Sequence, residues 1–344
     1  MTNKIKIKNT IAPFNKRIKI EGDKSLSIRW ALLASQSYGK STSINLLKSE
    51  DVLNTLNCLK KLGVKINMSK NKCKIYGVGI NRFNYKKKTI LNAGNSGTLA
   101  RLIMGLLVHT KNEIKIIGDE SLSKRDFIRV IKPLEKFGAK FKSNFGKLPV
   151  TIIGTDKPKP IKYFENKGSA QCKSAVMLAS INTKGETLIR AKKSRNHSEL
   201  LFKHLKIPIK IKKINGFDII RVNGGKKIKP LNYKIPSDIS SAAFLIVLTA
   251  LSKKSKLVIT NVNVNPSRIG ILKILRLMGI KVVLRKIKIY KGEKVANIHV
   301  ESAKKIKSIN CPPNLNSSTI DEFLIIFLLA ARAKEILILK ICQS

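Results

Sequence analysis

At 344 residues with 43% hydrophobic content, the chain is long enough to bury two domain-sized cores. Its 69 Lys and Arg against 20 Asp and Glu give a formal net charge of +49, mostly lysine and spread along the whole chain, while aromatics make up only 6%. Few stacking platforms are therefore available, nucleic acid is not expected as a partner, and small anions are. No apolar run reaches the length of a membrane span, MTNKIKIKNTIAPF lacks a secretory apolar segment, and Cys58, Cys73, Cys172, Cys311 and Cys342 form no C-x-x-C pair. A cytoplasmic protein with neither zinc nor a disulfide framework is expected.

The first predicted helix lies in GDKSLSIRWALLAS, Gly22 to Ser35. A helix N-terminus is positive and repels cations, yet Lys24 and Arg29 stand near this one. Ser25 and Arg29 are four apart and share a face, so with the free backbone N–H groups they can cradle phosphate or carboxylate; a solvated helix end is the alternative. GKST at Gly39–Thr42 resembles the end of a nucleotide-binding loop. Ala34 stands where that motif needs glycine and a helix precedes it, so no nucleotide site is expected.

Three further segments repeat the theme of small or basic residues at a helix start. LNAGNSGTLARLIMGLL places Asn92, Gly94, Asn95, Gly97 and Thr98 ahead of a helix carrying Arg101. GDESLSKRDFIRVIKPL puts Ser121, Lys124, Arg125 and Arg129 around a second start, and KGSAQCKSAVMLAS presents Ser169, Gln171 and Lys173 at a third. In SRNHSELL, Ser194, Arg195 and His197 precede Glu199, which reads equally as a capping box with Ser194 at the N-cap. His109, His204 and His299 are isolated, so no metal site is expected. Asp321 and Glu322 open the apolar FLIIFLLAA, either as acids that complement the helix dipole or as catalytic groups.

The segments KKLGVKIN, EKFGAKFK and RLMGIKVV each end an amphipathic helix with glycine (Gly63, Gly138, Gly279) and start a strand. FKHLKIPIKIKK makes the same switch at Ile207 without glycine. The intervals of 75, 69 and 72 residues are a repeat signature. Each unit reads strand, helix, strand, helix, strand, strand, which predicts an α/β class with mixed sheets and a boundary near Pro236–Ser241. The same period puts the next switch near residue 350, so the chain is expected to end inside a fifth unit.

Taken in order, GDKSLSIR, NAGNSGTLAR, GDESLSKRDFIRVIKPLEKFGA, GSAQCKSA, SRNHSE, PSDISSAAF, NPSRIG and IDEF resemble the 5-enolpyruvylshikimate-3-phosphate synthase family from Gly22 to about Ala333. The resemblance implies the two-domain enolpyruvyl transferase fold built from repeated α/β units, with one domain incomplete: residues 1–22 plus 238–344 as a first, discontinuous domain, and 23–237 as a second with three repeats. It implies a monomer with no cofactor and no metal, which joins shikimate 3-phosphate and phosphoenolpyruvate by addition and then eliminates phosphate. Lys24 would contact both substrates. Ser25, Arg29, Ser169, Ala170, Gln171, Ser194 and Arg195 would hold shikimate 3-phosphate, and Asn95, Gly97 and Arg125 would bind phosphoenolpyruvate. Asp321 would take the proton from the attacking 5-hydroxyl.

Two departures from the family pattern stand out. Asp126 occupies the place of the usual proline after Arg125, and the last eleven residues, Lys334 to Ser344, do not follow the family. A one-base deletion in a plausible family continuation reproduces Lys-Glu-Ile-Leu-Ile-Leu-Lys-Ile-Cys-Gln, so a change of reading frame near Lys334 is expected. A chain as written would then be inactive or nearly so, and the alternatives are an inactive remnant or a basic anion-binding or nucleic-acid-binding protein.

Overall fold

The structure, a computed structural model, describes residues 10–333 and 338–339. β1 (Asn15–Ile18) precedes α1 (Lys24–Ser35), β2 (Tyr38–Ile44), α2 (Glu50–Lys61), β3 (Lys65–Met68) and β4 (Lys72–Val78). The strand-helix-strand-helix-hairpin order then recurs as β5 (Thr89–Asn92), α3 (Gly97–Leu107), β6 (Ile114–Ile117), the short α4 (Glu120–Ser123), α5 (Ile128–Glu135), β7 (Lys140–Asn144) and β8 (Lys147–Ile153). It recurs again as β9 (Lys162–Glu165), α6 (Ala170–Ile181), β10 (Glu186–Lys192), α7 (His197–His204), β11 (Ile209–Ile214) and β12 (Phe217–Asn223). β13 (Tyr233–Lys234) leads to α8 (Ile239–Leu251), β14 (Lys256–Asn263), α9 (Gly270–Leu277), β15 (Val282–Tyr290) and β16 (Glu293–Glu301). β17 (Asn310–Cys311), α10 (Asn316–Thr319), α11 (Phe323–Ala330) and β18 (Ile338–Leu339) follow.

Four sheets share one topology: β13-β2-β4-β3, β5-β6-β8-β7, β9-β10-β12-β11 and β1-β14-β16-β15. In each, an edge strand runs parallel to its neighbour and a hairpin completes the sheet antiparallel. Two edge strands are borrowed across the sequence, β13 by the first repeat and β1 by the fourth. The chain divides into a larger unit, Glu21–Pro236 with Tyr290–Glu293, and a smaller one, Met1–Ile20, Ser237–Ile289 and Lys294–Ser344.

The four helix-to-strand switches are built alike. Gly63, Gly138 and Gly279 have φ of 84°, 109° and 84°, and at the fourth Lys206 takes φ of 56°. At three of them a paired closure satisfies the last helical carbonyls: Gly63 N–H to Lys60 O with Val64 N–H to Leu59 O, Lys206 to Lys203 with Ile207 to Phe202, and Gly279 to Arg276 with Ile280 to Leu275. GKST lies within β2, as strand and not as a phosphate loop. The stretch STIDEFLIIFLLAARA from Ser318, read as one helix, is broken into the end of α10, a 3-10 turn at Ile320–Glu322 and α11. The expected change of reading frame falls on residues outside those described, apart from Ile338 and Leu339.

In the larger unit α1, α3 and α6 are buried on nearly every face, and Trp30 Nε1 donates to Leu231 O at 2.8 Å. α3 and α6 pack so closely that a Cβ on Gly105 would collide with the Ala175 carbonyl. Because that neighbour is helix backbone, Gly105→Ala is expected to lower stability by about 1–3 kcal/mol, read as a lower urea midpoint with unchanged slope.

Candidate functional site

In the larger unit the first helix of every repeat starts on a side-chain cap: Asp23 accepts from Leu26 N–H, Ser96 from Leu99 N–H, and Ser169 from Cys172 N–H. The caps satisfy one donor each and leave the remaining first-turn N–H groups to other partners. Lys24 and Ser25 occupy the first turn of α1, Gly97 that of α3, and Ala170 and Gln171 that of α6.

Around Gly97 the site is dense with guanidinium groups. A Cβ there would lie 2.8 Å from Arg101 Nη1 and 3.2 Å from Arg125 Nη1. Arg101 spans the two helices, donating to Gln171 Oε1 at 3.1 Å and to Asp126 O at 3.0 Å, with its plane over the Phe127 ring. Gln171 Nε2 in turn donates to Thr98 Oγ1. Arg125 Nη2 donates to Asn95 Oδ1 at 3.3 Å, and Asn95 is oriented by its donation to Asp119. Asp119 is held below the usual carboxylate range by the Leu122 N–H and by Asn95. Burial lowers the Arg101 pKa, and Arg125 and Arg129 lower it further, whereas Asp126 favours its charge. Asp126 also accepts from Ile128 N–H, so the acid in place of proline ties down the start of α5.

Arg29 is almost fully enclosed by polar neighbours. Its side chain is 5% exposed, with Nε donating to Ser198 Oγ at 2.9 Å, Nη2 to Ser174 Oγ at 3.1 Å and Nη1 to Ser25 O at 3.2 Å. Burial lowers its pKa to about 10 against the favourable pull of Glu199. Lys24, by contrast, is half exposed and pairs with Asp51 at 2.9 Å. Among the described residues Ser194 Oγ is buried without a hydrogen-bond partner, and Arg195 is half-buried close enough to Arg29 to disfavour its charge.

Several sequence readings are corrected here. Lys173 is not open to an anion from solvent: it is fully buried, 2.6 Å from Glu199, because the fourth residue of α6 points at α7 and not at solvent. The capping box fails for the same reason, since Glu199 is committed to Lys173, and α7 starts from Asn196 with no side-chain cap. Arg129 is paired with Glu165, which also accepts from Ser169 N–H, and Lys124 with Glu120. As expected of the domain holding residues 238–344, Asp321 lies in the smaller unit, where it and Glu322 stand by Arg268; Glu322 is the N-cap residue of α11 but makes no side-chain cap bond there.

The EPSP synthase (3-phosphoshikimate 1-carboxyvinyltransferase) family model matches residues 8–340. A 3-phosphoshikimate 1-carboxyvinyltransferase of Ruthia magnifica is 41% identical over 318 residues, covering 92% of this chain and 72% of the relative. The chain belongs to the EPSP synthase family. A 3-phosphoshikimate 1-carboxyvinyltransferase of Vesicomyosocius okutanii is 42% identical over 319 residues with the same coverage. The solved EPSP synthase from Acinetobacter baumannii superposes with a TM-score of 0.84 at 34% identity, covering 94% of this chain and 74% of that one. The enolpyruvyl transferase NikO from Streptomyces tendae, at 11% identity and a TM-score of 0.70, shares the fold.

As an EPSP synthase family member the chain is a transferase, of the class that moves the enolpyruvyl group to shikimate 3-phosphate in aromatic amino acid biosynthesis. The basic nucleic-acid-binding alternative is not favoured. Among the described residues no helix is long and apolar enough to cross a membrane. The partners of the buried charges were not legible in the sequence. His197 meets Glu293 at 2.7 Å across 96 positions, and no local spacing announces that pairing.

Proposed function

We propose that the larger unit binds shikimate 3-phosphate through Lys24, Ser25, Arg29, Ser169, Ala170, Gln171, Ser194 and Arg195, and phosphoenolpyruvate through Lys24, Asn95, Gly97 and Arg125. The observation that carries this is the cradle at Gly97. Two guanidinium groups converge where a Cβ is missing, at the start of a helix whose dipole is positive. Arg125 and Arg129 disfavour the charge on Arg101, a cost that a bound polyanion removes. Arg29, with its donors held by Ser25, Ser174 and Ser198, presents a fixed cation behind Ser25. Ser194 Oγ, without a partner among the described residues, is a ready donor for a phosphate oxygen.

The family's reaction needs no redox step. The 5-hydroxyl oxygen of shikimate 3-phosphate adds to C2 of phosphoenolpyruvate while C3 gains a proton. Phosphate and a C3 proton then leave to restore the double bond. Asp321, 42% exposed at the 3-10 turn before α11, is read as the acceptor of the hydroxyl proton. Developing charge on the phosphate and carboxylate groups falls to the arginines and the helix N-termini. We read the protein as a cytoplasmic monomer, with the larger and smaller units as its two domains.

The test is Gly97→Ala. The new methyl displaces the ends of two flexible side chains and no backbone, so the fold is expected to persist. Phosphoenolpyruvate affinity, measured by calorimetric titration with shikimate 3-phosphate present, is expected to fall at least about tenfold, while shikimate 3-phosphate affinity stays within about twofold. Unchanged phosphoenolpyruvate affinity would contradict the cradle.

A further inference from the structure

In the larger unit the first helices of the three repeats bury one another, and α6 touches both of the others. Arg29 of α1 donates to Ser174 of α6. On α3, Thr98 Oγ1 accepts from Gln171 of α6, Arg101 donates to the same Gln171, and Gly105 lies against the Ala175 backbone. α6 is therefore the third helix that closes α1 and α3.

The smaller unit repeats the first two of these helices. α8 precedes the sheet that borrows β1 as α1 precedes the sheet that borrows β13, and α11 stands in chain order between the parallel strands β17 and β18 as α3 stands between β5 and β6. α8 and α11 share one apolar core, to which they give Ala243, Ile246, Ile326 and Leu329. With the N-cap residues matched, Asp23 to Asp238 and Ser96 to Glu322, Arg29 corresponds to Phe244, and Thr98, Arg101 and Gly105 correspond to Leu324, Phe327 and Ala331. Every position that touches α6 in the larger unit is apolar and exposed in the smaller one: Phe244 by 59%, Leu324 by 81% and Phe327 by 43%, with Ala331 open as well. Leu248 and Leu328 lengthen the two stripes. In a chain with 69 Lys and Arg, α8 and α11 carry no charged residue, which is not the composition of a solvated helix face.

We propose that the exposed stripes of α8 and α11 are the docking seat of a separate polypeptide, an α/β repeat of this family whose first helix lies on them as α6 lies on α1 and α3. The relatives hold the length for it, since the match with this chain covers 72% of the Ruthia magnifica protein and leaves more than a quarter of it unmatched. Phe244, Leu324 and Phe327 offer no polar side-chain atom, so the docked face is apolar. Ala331, in the place of Gly105, keeps a small residue where that helix comes close. A second copy of this chain would bring two more stripes and no third helix.

The experiment coexpresses the full chain with the part of the Ruthia magnifica relative that lies outside the match, made as a separate tagged polypeptide, and weighs the purified product by sedimentation. A one-to-one complex is expected. Phe244→Glu and Leu324→Glu, which set a carboxylate in the seat, are each expected to raise its dissociation constant at least about tenfold. Both side chains are exposed in the free chain, so neither substitution is expected to move its urea midpoint. Phe145→Glu, a change at an exposed apolar residue of the larger unit, is the control and is expected to leave the constant within about twofold. Absence of a complex overturns the proposal. So does a complex that Phe244→Glu and Leu324→Glu leave intact, or one that Phe145→Glu weakens as much. A chain that forms dimers by itself, broken by Phe244→Glu, overturns it in favour of a second copy.

Discussion

Glu199→Ala is expected to destabilise the larger unit by about 3–5 kcal/mol, the largest effect of any single side chain outside the apolar core. Glu199 and Lys173 are both buried, 2.6 Å apart, with Lys173 fully enclosed between α6 and α7. Their contact is ionic more than directed, since among the described residues neither Lys173 Nζ nor Glu199 Oε2 completes a hydrogen bond. Removing the carboxylate strands a cation in low dielectric and also withdraws the favourable field on Arg29. Replacing both members with apolar residues, as in Lys173→Met with Glu199→Leu, removes the burial cost together with the attraction. The double variant is therefore expected to regain most of the loss. Urea unfolding of the three chains decides the matter, and equal losses in the single and the double variant would contradict it.

Stability is also expected to fall on mild acidification because of His109. Burial lowers its pKa from 6.5 to about 4, only partly offset by its hydrogen bond to Ala179 O. In the unfolded chain the imidazole takes up a proton near pH 6.5, and in the folded chain not until about pH 4, so across this window the unfolded state binds more protons. The contribution is full above pH 6.5 and is lost progressively as the pH falls toward 4, amounting to about 3 kcal/mol. Urea midpoints at pH 7 and pH 4.5 for the chain and for His109→Gln isolate it. The glutamine variant is expected to lose markedly less on acidification, and identical losses would contradict the assignment.

The repeat and the helix N-termini were legible because both are local: glycine at a left-handed helix end and a capping residue before an apolar run each leave a mark within a few positions. Lys206 shows the limit of that reading. It takes the left-handed conformation that glycine takes at the other three switches, so the element survives where its signature residue does not. Tertiary partners left no local trace. The pairings of Lys173 with Glu199, His197 with Glu293, and Arg268 with Asp321 are made by packing across 26, 96 and 53 positions. The apolar run at Phe323–Ala330 forms a helix, yet Leu324 is 81% exposed and Leu328 half exposed. Hydrophobicity fixes that a segment is helical more readily than which face it covers.

The most direct measurement of the central claim is thermal unfolding of the full chain with and without shikimate 3-phosphate. A ligand held only by the native state raises the midpoint by an amount that grows with concentration, about 4 kcal/mol at a thousandfold excess over its dissociation constant. The expected result is a concentration-dependent rise for the unsubstituted chain, a much smaller one with shikimate lacking the phosphate, and none in Lys24→Ala or Arg195→Ala. A midpoint that does not move with shikimate 3-phosphate, or that moves equally in all three chains, would contradict the placement of the substrate at the helix N-termini of the larger unit.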